Sequence, residues 1–171
     1  MKFLFLSIFI VSINFASLID IKSFEADFKQ IITDEKGEKL TYNGHIMATS
    51  PQYAVWKYTS PIEKTMYIKP NLITIVEPEL EQVIIKKIPS YFDFFTIMKH
   101  ATKISSIRYE TFVKDVKYTI YTEKELIKSV SYYDEFENFV QIIFEKQVQN
   151  REFSKVVFQA SYPDDYDVIS E

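Results

Sequence analysis

Between Ser23 and Ile32 apolar and charged residues take turns: Phe24, Ala26 and Phe28 alternate with Glu25, Asp27 and Lys29. Period two puts one set of side chains on each face of a strand, so one face is apolar and the other charged. Phe24, Phe28 and Ile31 also fit a helical spacing. A strand is favoured because "TDEKGEKL" follows as a hairpin connection with Gly37 near its tip. The return run alternates Leu40, Tyr42, Gly44, Ile46 and Ala48. The runs "YAVWKYTS", "KTMYIK", "LITIVE" and "QVIIKK" continue the pattern, and Pro51, Pro61, Pro70 and Pro78 fall between runs, as a residue without an N–H must. Further strands are expected in "RYETFVKDV", "KYTIYTE", "IKSVSYYDE", "FVQIIFEK" and "SKVVFQAS". So many short strands at near-regular spacing predict a mainly β protein. The economical form is a strongly curved antiparallel sheet, or unclosed barrel, which buries one face of every strand and leaves few edges.

Residues 88–100, "IPSYFDFFTIMKH", break the alternation. Pro89 halts the preceding strand, and Ser90 with Asp93 three residues on makes a capping-box-like start. Tyr91, Phe94, Phe95 and Met98 fall on one helical face, and Lys99 and His100 suit the negative end of the dipole. A helix of about ten residues, roughly 15 Å long, is not stable alone. It must lie against something apolar, and the open mouth of the curled sheet is the expected partner. An ordinary core helix on a sheet has the same pattern.

The first seventeen residues, "MKFLFLSIFIVSINFAS", place Lys2 before an apolar run from Phe3 to Phe15 and end on the small residues Ala16 and Ser17. This is the plan of a secretory signal peptide. A single membrane anchor is the competing reading, but the run is shorter than the ~20 residues a span needs. The expected organisation is a cleaved leader over 1–17 and one domain over 18–171, exported to the far side of the membrane. The chain has no Cys, which excludes disulfides, thiol catalysis and a lipid-modified Cys at the cleavage site. Loss of Lys2 with the leader moves the formal charge from −4 to −5. An acidic chain without a basic block argues against nucleic acid as a partner and against docking on anionic lipid.

Four segments resemble one family. "FEADFKQ" (Phe24, Ala26, Phe28, Gln30) is similar to the F-x-A-x-F-x-Q opening of the periplasmic outer-membrane lipoprotein carriers, LolA. "SPQYAVWKYTSP" carries Pro51, Trp56, Tyr58 and Pro61 in the family's order. "EPELEQV" resembles its P-x-L-x-Q-V segment through Pro78, Leu80, Gln82 and Val83, and "SYPDDYDVI" its ending through Pro163, Asp167 and Val168. The resemblance implies an unclosed antiparallel barrel with lid helices over its opening. It implies a monomeric, non-enzymatic carrier of the acyl chains of lipoproteins. Cargo would arrive from an inner-membrane transporter, LolCDE, and leave to an outer-membrane receptor, LolB or an equivalent. It further implies that Phe28, Ile46, Trp56, Tyr58, Ile75 and Val83 line an acyl-chain cavity, with Phe92, Phe95 and Met98 facing the cargo from the lid. From burial habits alone, each of these is equally a core residue. A periplasmic lipid-binding or sensing module that does not ferry lipoproteins is the alternative. Two departures stand out. Ser50 occupies the position before the first Pro where the family commonly has an Arg, and only "LIDIKS" separates the expected cleavage site from Phe24, where the family has an amphipathic helix.

Other chemistry finds little purchase. Gly37 and Gly44 are the only glycines, so Gly-rich phosphate loops are excluded. His45 and His100, the only imidazoles, are far apart in sequence and lack a metal-ligand spacing, so neither a metal nor a cofactor is expected. No G-x-S-x-G nucleophile motif is present. Glu79/Glu81 and Asp164/Asp165 are acidic pairs of the kind that solvated turns carry. Lys86 and Lys87 read as surface charges on a strand end, able to meet an acidic partner.

Overall fold

The computed structural model describes residues 20–88 and 94–170. The expected leader, and the helix-start residues Pro89, Ser90, Tyr91, Phe92 and Asp93, lie outside the described residues. The elements in chain order are β1 (Ser23–Thr33), β2 (Lys39–Thr49), β3 (Tyr53–Ser60), β4 (Lys64–Lys69), β5 (Leu72–Glu77) and β6 (Gln82–Lys87). Then come α1 (Phe94–Lys99), β7 (Thr102–Lys103), β8 (Arg108–Val113), β9 (Val116–Glu123), β10 (Leu126–Tyr133), β11 (Phe139–Gln149) and β12 (Asp167–Ser170). The first segment is a strand, as its alternation and the following turn predict. Asp34 builds that turn by accepting from the backbone N–H groups of Lys36 and Glu38 at 2.9 and 2.8 Å, with Gly37 at φ 83°.

All strands join one unclosed, curved sheet in the order β12-β6-β5-β4-β3-β2-β1-β11-β10-β9-β8-β7. It consists of two antiparallel meanders, β1 to β6 and β7 to β11, fused where β1 pairs with β11. This order forces the chain into two long crossings of the sheet. From β6 at one side it reaches β7 at the far edge, and that crossing carries α1. From β11 in the middle it returns to pair β12 in parallel with β6.

Register decides which residues share the inner face. Ile46 pairs with Trp56, Trp56 with Met66, and Met66 with Ile75, so these four face one way. Phe28 joins them through Gly44 and Tyr58. On the other meander Phe144 stands opposite Phe28, and Ile142 opposite Gln30 and Val130. Val76 and Val83 pair with each other one residue out of phase with Ile75. Both are buried on the opposite, outer face. Val55, next to Trp56, is buried there too.

The crossing from β11 to β12 covers that outer face. The run "SKVVFQAS", expected as a strand, is instead a short 3-10 turn over Lys155–Phe158. Both edges of β11 are already taken by β1 and β10, so the run cannot extend the meander beside it. Phe158 is buried, with its ring 6.0 Å from Tyr53 and 5.9 Å from Phe153.

Gly44 lies under the Phe28 ring. A Cβ there would sit 2.6 Å from Phe28 Cζ and press on the backbone carbonyl of Lys57, which cannot yield as a side-chain tip can. Gly44→Ala is expected to destabilise the fold by about 3 kcal/mol, the upper range for overpacking. Urea unfolding checks this, and an unchanged midpoint would contradict it.

Candidate functional site: an uncharged cavity under the crossing helix

The two meanders do not meet at the centre of the inner face. They leave an apolar cavity of about 170 Å³. Trp56, Tyr58, Met66 and Ile68 form one wall from β3 and β4. Val130, Tyr132, Ile142 and Phe144 form the facing wall from β10 and β11, with Val113 and Tyr118 beside them. Phe94, Ile97 and Met98 of α1 cover it. Gln30, from β1 between the walls, is the one amide on the lining.

Alternation explains both walls, since each strand turns every second residue inward. The helix is held by aromatic rings. Phe94 lies 4.9 Å from the Phe24 ring and 6.3 Å from Phe144, and packs edge-on against Phe95 at 5.4 Å. Such pairs add about 0.5–1.5 kcal/mol each beyond the area they bury. Ser50, at the family's Arg position, is remote from this arrangement. It borders an outer-face groove with Tyr53 and Phe158, and its N–H donates to the Lys22 carbonyl at 2.8 Å.

Three of the nine residues singled out from sequence lie on the lining: Trp56, Tyr58 and Met98. Phe28 stands directly behind, its ring edge-on to Trp56 and to Tyr58 at 5.1 Å each. Ile46 and Phe95 are buried in the same core, and Ile75 packs against it half-buried. Val83 is corrected by register, because it points to the outer face with Val76. Phe92 lies outside the described residues. Sequence reading missed the second meander's wall altogether. The runs around Val130 and Ile142 alternate clearly, but nothing local says that they face Trp56.

No lining residue carries a charge. Burial pushes the Tyr58 phenol well above its ordinary range, with smaller contributions from Tyr132 and Tyr42. Burial, then Tyr118 and Asp134, pushes Tyr132 up to about 12. Tyr58 donates to Gln30 Oε1 at 2.9 Å. The outer face differs in kind. There His45 Nδ1 lies 2.9 Å from Asp27 and Nε2 3.2 Å from Glu25, while Lys146 and Arg151 pair with the same carboxylates at 2.9 and 2.6 Å. Glu79, Glu81, Asp164 and Asp165 are exposed.

A relative from Campylobacter jejuni, an outer-membrane lipoprotein carrier protein, is 36% identical over 170 residues, covering 99% of each chain. A protein of the same name from Wolinella succinogenes is 35% identical over 144 residues, covering 84% of each. The chain belongs to the outer-membrane lipoprotein carrier family. The family's sequence model, described as outer membrane lipoprotein carrier protein LolA, matches residues 20–93. Those residues supply β1 to β6 and so one wall of the carrier cavity; α1 and the facing wall come from beyond the match. A Thermus thermophilus protein of known structure shares the fold, with a TM-score of 0.56 at 8% identity, over 90% of this chain and 93% of that one.

The buried phenols set a pH expectation. Their folded pKa values are raised, so their contribution to stability is complete below pH ~10 and is lost as pH climbs through the folded values. Spectrophotometric titration should leave Tyr58 and Tyr132 un-ionised at pH 10 and ionise them together with alkaline unfolding. Ionisation of all 12 tyrosines near pH 10 in folded protein would contradict this.

Proposed function

We propose that this chain is a periplasmic carrier that takes the acyl chains of lipoproteins into the cavity beneath α1 and delivers them to the outer membrane. The observation that carries the reading is an uncharged, aromatic-lined void between two meanders, in a chain that belongs to the lipoprotein carrier family. The inner-membrane transporter LolCDE as donor, and LolB or an equivalent as acceptor, are part of this proposal. So are cleavage of residues 1–17 and a single carrier domain over 18–171. The lining holds no nucleophile or acid–base pair, which supports binding rather than turnover.

The size of the void says how binding must proceed. An apolar cavity of ~150 Å³ holds a guest the size of benzene. A space of about 170 Å³ therefore takes only part of a long acyl tail as it stands, and a deeper fit needs something to yield. The covering helix is the element that can yield. Its described part, six residues, is too short to hold itself, and it rests on ring contacts rather than on ladder bonds. Each buried CH₂ contributes roughly 0.8 kcal/mol, so one tail is worth on the order of 10 kcal/mol. Displacing Phe94, Ile97 and Met98 offsets part of that and keeps the complex reversible. Met98 and the aromatics suit the task, because a thioether adapts its shape and rings offer area at low entropic cost. Trp56, Tyr58 and Met98 would touch the chain; Phe28, Ile46, Ile75 and Phe95 would back them. Release would follow from a higher affinity at the acceptor, since two glycines make no Gly-rich phosphate loop that could couple it to nucleotide.

The test is co-purification. Protein isolated from exporting cells should carry acylated lipoprotein detectable by mass spectrometry. Val130→Trp, which fills the void, should lower that yield at least ten-fold while the purified variant keeps its circular dichroism. Wild-type protein that takes up free lipid but never acylated protein would overturn the proposal.

A further inference from the structure

Beside Tyr58, away from α1, the inner face turns polar. Gln30 lies six residues along β1 from Phe24, the ring that holds α1, which is about 20 Å of strand. Gln30 pairs with Tyr42 across β1–β2, Gly44 with Tyr58 across β2–β3, and Tyr58 with Lys64 across β3–β4, so these side chains share the inner face. Tyr58 spends its O–H on Gln30 Oε1, which leaves the Gln30 amide nitrogen with two donors and no partner among the described residues. Lys64 Nζ sits 4.8 Å from the Tyr58 ring centre and 5.6 Å from that of Tyr42. Phenol faces hold an ammonium in place without using up its N–H donors. No carboxylate among the described residues reaches it as an ion-pair partner. The result is a pair of unspent donor groups, Gln30 on the cavity lining and Lys64 beside it, next to a wall of hydrocarbon, thioether and aromatic rings.

We infer that Gln30 and Lys64, positioned by Tyr58 and Tyr42, form a recognition site for the carbonyl oxygen of an acyl ester or amide, so that the protein distinguishes an acylated guest from a bare alkyl chain. The inference rests on the cavity reading above and names the chemistry of the guest's polar end. A tail inserted toward α1 brings its carbonyl to this cluster. A carbonyl accepts, and the two groups left unspent here, the Gln30 amide nitrogen and the Lys64 ammonium, can only donate. A guest lacking the carbonyl leaves the Gln30 amide desolvated and unpaired, and that asymmetry is what yields selectivity.

The experiment compares two probes of equal chain length, 1-monododecanoylglycerol with an ester carbonyl and 1-O-dodecylglycerol with an ether. Binding is followed by the fluorescence of Trp56, the single Trp of the chain and part of the lining. Wild-type protein should bind the ester about five-fold more tightly, the worth of one net hydrogen bond. Gln30→Leu and Lys64→Met should each move the ester-to-ether ratio toward one. Equal affinities in the wild type, or a ratio that survives in both variants, would overturn this inference and leave the cavity reading standing. Failure of both probes to bind at all would retire both.

Discussion

The pairing of β1 with β11 is the constraint from which the rest follows. It joins residues more than a hundred positions apart, such as Phe28 and Phe144, and fuses two local meanders into one sheet. Long-range ladders of this kind are costly to close and must be held well once formed. Here both faces contribute. On the inner side Phe24 packs edge-on to Phe144 at 5.1 Å. On the outer side Lys146 and Arg151 reach across to Asp27 and Glu25. Those ion pairs are partly exposed and contribute little by themselves, so the rings and the ladder carry the seam. The register slips between Glu25 and Asp27, and a bulge at that point bends the strand and deepens the curl.

Once the seam exists, the remaining architecture is nearly obligatory. The two meanders run outward from it and curl toward each other, so a chain leaving β6 must cross the opening to reach β7. The crossing places α1 over the gap. The walls carry Trp56 and Tyr58 on one side and Tyr132 and Phe144 on the other, whose rings are too rigid to collapse into the space between. The void is therefore a consequence of topology and side-chain shape together. It is uncharged because no Asp, Glu, Lys, Arg or His side chain lines it.

Strand positions were legible in the sequence because alternation and proline placement are local signals, and β2 to β6 fall where those signals put them. What failed was anything that depends on which strand neighbours which. Val83 looks like Ile75 in composition, but a one-residue phase difference sends it to the outer face. The run at 154–161 is apolar enough for a strand but follows one whose two edges are both taken, and it became cover for the outer face. β12 carries too few apolar residues to be read alone and exists because β6 offers an edge. The wall from β10 and β11 was invisible as a site, since its opposition to β3 is created only by the curl. Alternation puts Gln30 on the face of Phe24, Ala26 and Phe28, but a polar residue there had no evident partner; Tyr58 and the cavity supply one.

The central claim is that hydrocarbon enters the space between the meanders beneath α1. Isotope-filtered NMR with a uniformly ¹³C-labelled dodecanoyl chain tests it directly. The account predicts cross-peaks from chain methylenes to Val130, Ile142 and Met98, and none to Val83 on the outer face. Cross-peaks to Val83 and Phe158 with none to Ile142, or no intermolecular contact at all, would contradict it.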